Sequence, residues 1–208
     1  MEIHDLLAEV TQRFTAHPSG ATRWDDPHEH RNIADEEYSR VSDPERYAVV
    51  GARARSWIDA LKALELATAQ DVEAPPWPYG PTDARAVLVT PVRAGALSML
   101  VVLGSMEGIE DAVAVGVGDP AVLIGMEPFC GCDACDSGSD YLLSAIDDLF
   151  TGIIDGSFLY AEGKDWKLTV GVNGWSASGS QDFDTLIDKA RAGTSIGRLM
   201  ITGGPWLT

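Results

Sequence analysis

Apolar positions in the first third of the chain recur at helical spacing. In IHDLLAEVTQRF, Ile3, Leu6, Leu7, Val10 and Phe14 fall on one stripe, and the proline and glycine of HPSG end it. Residues 17 to 37 are rich in His, Asp and Arg, and hold too little apolar content to bury an element, so they predict a surface loop. A second helix is predicted over about residues 43 to 67. Ser42 and Glu45 form an S-x-x-E capping box around Pro44, and Tyr47, Val50, Ala54, Trp57, Ile58, Leu61 and Leu64 line one face behind it. The segment DVEAPPWPYGPTD then carries five prolines or glycines in thirteen residues, which marks a connector.

Beyond the connector the period changes from helix to strand. ARAVLVTPV, ALSMLVVLG, DAVAVGVG and AVLIGMEPF are short runs rich in β-branched residues, separated by RAG, SMEGIE and DP, the spacing of an antiparallel meander. Ser137 with Asp140 is another N-cap signature. Leu142, Leu143, Ile146, Leu149, Phe150 and Ile153 follow it at helical spacing up to Gly156. SFLYAEG and WKLTVGVNGW predict two more strands, and FDTLIDKARAG a last helix ended by Gly193. The expected fold is α+β: one domain over 1–208 with an antiparallel sheet of about five or six strands packed against helices. Residues 1–80 make its mostly helical part, and 81–208 its sheet with two further helices.

Charge narrows the function classes. The 208 residues hold 32 acidic against 15 basic side chains, a formal charge of −17, and this potential repels phosphate backbones and anionic lipid headgroups. No nucleic-acid or membrane partner is expected, and a basic protein surface is the favoured one. Glu2 and Asp5 stand where a secretory signal has its basic region, and the longest apolar stretch is broken by Pro91 and Arg93, so the expected location is cytoplasmic.

All three cysteines lie in PFCGCDACDSGSD, at Cys130, Cys132 and Cys135. The C-x-C-x-x-C spacing lets the sulfurs converge, which suits a metal, a redox pair or simple packing. Asp133, Asp136 and Asp140 sit among the thiols and disfavour a reactive thiolate, whereas a divalent cation such as zinc gains from the same carboxylates. Zinc takes four ligands and the knuckle supplies three, so Asp133, Asp136 or the His28 and His30 pair of PHEHR would have to complete it. A calcium loop fails: with Gly138 at the obligatory glycine, Cys135 and Ser144 occupy carboxylate positions.

Other motifs are weaker. GVGDPA matches a dinucleotide fingerprint at Gly116, Gly118 and Ala121 with no helix after it, and GWSASG misses a nucleophile elbow at Ser176 because Ser178 replaces the second glycine. Arg31, Arg40, Arg46, Arg53 and Arg55 stand among six acids between Asp35 and Asp59, which predicts ion pairs rather than an anion pocket. Two functions follow as expectations. The first is a small acidic binding or regulatory protein with a structural cysteine knuckle able to hold zinc. The second is a hydrolase or thiol enzyme using Cys132 or Ser176 with a histidine of the N-terminal loop.

The stretch GDPAVLIGMEPFCGCDACDSGSDYLLSAIDD, together with EEYSRVSDPERYAVVGARARSWIDAL and GWSASG, resembles the uncharacterised actinobacterial domain-of-unknown-function family six-two-two-six. The similarity runs from about Trp24 to the C-terminus. It implies a one-domain protein and transfers no catalytic or binding residue.

Overall fold

The computed structural model describes residues 1–207. Helix α1 (Ile3–Ala16) buries Leu6, Val10 and Phe14 against helix α2 (Ala48–Ala63), the stripe its sequence predicts. Five strands follow as an antiparallel meander, in spatial order β1 (Ala67–Val72), β2 (Thr82–Pro91), β3 (Met99–Met106), β4 (Ile109–Val117) and β5 (Val122–Glu127). Helix α2 lies across β4 and β1, and helix α3 (Gly138–Ile154) packs on α2 and β5. Their shared core holds Trp57 stacked on Phe150, with Val101, Val115, Ile146 and Ile154 fully buried.

The last quarter of the chain builds a second antiparallel sheet rather than extending the first. Its order is β8 (Gly174–Ser178), β7 (Lys167–Gly171), β6 (Leu159–Glu162) and β9 (Leu199–Thr202). Alternation along β6 shows how it is held. Tyr160 joins the main core, while Leu159 and Ala161 face a smaller core closed by Phe183 and Ile187 of helix α4 (Phe183–Arg191). The result is an α+β domain with a five-stranded and a four-stranded sheet. Among the described residues, no helix is long and apolar enough to cross a membrane.

Three local expectations are corrected. The second helix does not run over 43 to 67. Pro44–Tyr47 is a separate 3-10 turn, and α2 ends at Ala63, after which Glu65 turns the chain with φ 55°. Residues 67 to 72, placed in the helical part by sequence, become β1 because β2 offers them a full hydrogen-bonded register from Ala67 opposite Pro91 to Val72 opposite Ala86. WKLTVGVNGW is two strands, β7 and β8, joined by a tight turn at Val172 and Asn173, and β9 was not legible at all.

The capping boxes also fail. Asp43 adopts the left-handed conformation (φ 48°) and caps nothing, because Ser42 gives both its amide and its hydroxyl to Asp133. Ser137 likewise makes no cap bond, and Asp136 instead accepts from the Gly138 amide. Ser42, which marks a helix start in sequence, is drawn into a long-range contact with the cysteine loop.

Candidate metal centre

The loop between β5 and α3 carries the three cysteines across the end of β4. Gly131 permits that crossing, since a Cβ there would stand 2.4 Å from Ile109 Cδ1. A single 3-10 turn, Asp133–Cys135, then curls the chain back, with the Cys135 amide donating to the Cys132 carbonyl at 2.9 Å. Gly138, at φ 81°, opens α3 where residues 24 to 26 pass so close that a Cβ would meet the Asp26 nitrogen at 2.8 Å. The N-terminal polar segment is thus packed on this loop rather than free on the surface.

The turn gathers the sulfurs. The Cys130 and Cys132 sulfurs are 3.2 Å apart, and all three lie within 4.8 Å of one another. Zinc–sulfur bonds of about 2.3 Å at tetrahedral angles place sulfurs about 3.8 Å apart, so a small adjustment brings three of them onto one ion. Cys132 is buried, Cys130 half-buried and Cys135 exposed, so the triad opens outward on one side.

Electrostatics within the triad are uneven. Burial pushes the Cys132 thiol up, but the Cys130 and Cys135 thiols and the backbone amides of Cys135 and Ala134 outweigh it and hold the net value below the ordinary thiol range. Cys135 goes the other way, pushed up to about 12 by burial and by the two neighbouring sulfurs. Cys132 therefore ionises before Cys135, and a cation is what allows Cys135 to follow.

The expectation that neighbouring carboxylates suppress a Cys132 thiolate is corrected, because two of these carboxylates are already engaged. Asp133 accepts from Arg40 Nε at 2.5 Å and from the Ser42 amide and hydroxyl at 2.7 and 2.9 Å, and these partners hold it below its usual range despite burial. Asp136 is fully buried at its side chain. It accepts from Trp24 Nε1 at 2.8 Å and from Arg46, whose guanidinium lies against the rings of both Trp24 and Tyr47. These two aspartates staple the loop to residues 24 to 46.

None of the residues considered as a fourth ligand joins the sulfurs. Asp133 and Asp136 are spent on arginines. His28 is bonded through Nδ1 to the Asp136 carbonyl at 3.2 Å and lies beside Arg31 and Glu37 through Nε2, and His30 is exposed. The structure therefore assembles Cys130, Cys132 and Cys135 as a three-sulfur set and leaves a fourth position to something outside the described side chains.

The other motifs resolve structurally. Gly116 of the fingerprint is small because Trp77 of the connector lies on that face of the sheet, 2.5 Å from where a Cβ would be. Ser176 stands on the exposed strand β8, with no histidine among the residues around it. All five arginines are ion-paired as expected, but only Arg31 and Arg40, which share Glu37, find an acid nearby. Arg40, Arg46, Arg53 and Arg55 reach Asp133, Asp136, Asp147 and Asp111 across the fold.

No curated protein matches this chain, and no solved structure matches it either. A family model described as a family of unknown function (DUF6226) matches residues 10–208, and the chain belongs to that family.

Proposed function

We propose that the protein is a small acidic binding protein whose Cys130, Cys132 and Cys135 hold one soft divalent cation, zinc first, with the fourth position open to water or to a donor atom of a partner. The observation that carries this is the convergence of the three sulfurs on a turn whose amides already favour a Cys132 thiolate. Thiolate sets select zinc over hard cations. A three-ligand set with an exposed rim differs from a closed structural site. The partner is a basic protein surface. Ion pairing neutralises seven of the chain's arginines internally, so its excess acid is left facing outward. The alternative of a thiol or serine hydrolase lacks support, since His28 is committed to Asp136 and Glu37 rather than to a nucleophile.

The test is metal content by mass spectrometry together with a thiol count. Close to one zinc per chain, protection of the three thiols from alkylation until a chelator is added, and loss of both in Cys132→Ser support the proposal. Three freely alkylated thiols in protein purified with zinc present would sink it.

A further inference from the structure

A cleft of about 520 Å³, lined by none of the cysteines, lies between α3 and the β7–β8 hairpin. Helix α3 lines it with Tyr141, Ala145, Asp148, Leu149 and Gly152, positions that share one face. The hairpin supplies Asn173, Trp175 and Ser176 on the opposite wall, and β5 closes the floor. Asn173 donates to Asp148 across the gap, which ties hairpin to helix.

The floor carries an anomaly. A bulge in the β4–β5 pairing between Val115 and Gly116 breaks the alternation that puts Val122 and Ile124 on the helix side and Leu123 on the other. Beyond it Met126 packs on the outer face, Gly125 meets Leu149 of α3, and Glu127 shares the helix side with Gly125. Glu127 is thereby half-buried, yet among the described residues no side chain or backbone amide bonds to its carboxyl. Glu37, Asp133, Asp136 and Asp147 each hold an arginine, whereas Asp148, on the helix wall of the same cleft, accepts only from Asn173. Burial alone raises the Glu127 carboxyl to about 7. No cationic side chain lines the cleft, while its rim carries the exposed rings of Tyr141 and Trp175 and its wall the apolar Ile124, Leu149 and Phe158.

We propose that this cleft binds a small molecule that joins an ammonium group to an aromatic or apolar body, with the Glu127 carboxylate as counter-charge to the ammonium. The volume fits a small organic ligand. A cation replaces the proton that Glu127 otherwise keeps, Asp148 adds a second negative charge, and the Tyr141 and Trp175 rings supply π faces for the cation or the body. On binding at about pH 6, Glu127 gives up its proton to the buffer and the ammonium keeps its own. Asp148 and Tyr141 are the other titratable groups lining the cleft.

The experiment is a titration of the full-length chain with benzylamine and, separately, with its neutral analogue benzyl alcohol, followed by amide and indole NMR shifts. Benzylamine is expected to move Tyr141, Asp148 and the Trp175 indole, and to bind at least about ten-fold more tightly than the alcohol. Glu127→Gln removes that preference, while Trp175→Ala weakens both ligands. Calorimetry of the parent in two buffers of different ionisation heat shows proton release for the amine alone, a readout that needs no variant. Equal affinity for amine and alcohol, unchanged amine binding in Glu127→Gln, or no shift at these residues at the highest amine concentration the fold tolerates overturns the proposal.

Discussion

Replacing Asp133 by Asn separates a staple from a ligand, because it keeps the shape of the side chain and removes its charge. The native carboxylate takes three hydrogen bonds, two from Ser42 and one from Arg40. An asparagine oxygen can keep the Ser42 amide at 2.7 Å, but its NH2 group then faces Arg40, a donor with nothing to accept. The Ser42 hydroxyl can turn and accept from that NH2. Arg40 is 53% exposed at its side chain and swings into water, so the loss of this charge-assisted bond is discounted for screening. The net cost is about 2 kcal/mol. For a domain of this size, that lowers the melting temperature by roughly 4 to 8 °C. The assay is a thermal melt of reduced protein in chelator, repeated with zinc, alongside a zinc-affinity competition. The metal-free melt is expected to fall, and zinc affinity to drop by at most about 100-fold, the size of an outer-shell effect. An unchanged metal-free melt with zinc binding abolished would refute the argument and make Asp133 the fourth ligand.

Asp43→Gly relieves a left-handed backbone at φ 48° and, because Asp43 makes no cap bond, is expected to raise stability by about 0.5 kcal/mol in denaturant titration. Arg53 is 6% exposed and gives two 2.8 Å bonds to Asp147, which also accepts from Trp57. Arg53→Met should cost about 3 kcal/mol in a chemical melt, and Arg53→Met/Asp147→Leu should recover much of it, since the pair together replaces both charges. Glu127 has a folded value of about 7, above that of the unfolded chain, so its neutral form favours folding and the advantage is lost as pH rises from about 4.5 through 7. Glu127→Gln should therefore stabilise the protein at about pH 8, by up to about 3 kcal/mol, and change little at about pH 4, as a pair of melts at the two values will show.

The amphipathic stripes of α1 and α3 and the alternating runs of the meander are local patterns, and burial followed them. Leu6, Val10 and Phe14 lie inside, as do Ile146, Phe150 and Ile153. The convergence of the sulfurs was legible for the same reason, because six residues with a glycine between the first two thiols leave them little room to separate. What failed was every feature whose partner lies far along the chain. Ser42 looks like a cap until Asp133, 91 residues away, takes its donors. The segment 67 to 72 falls within the mostly helical part until β2 gives it a register, and Asp136 looks like a metal ligand until Trp24 and Arg46 enclose it. Glu127 reads as the polar end of a strand, and only the bulge turns it toward the helix side. Sequence determined which residues are apolar, which are close neighbours and which backbone angles are open. The tertiary structure decided which carboxylates meet an arginine, and so which are left over for a cation, because that choice depends on contacts between segments tens of residues apart.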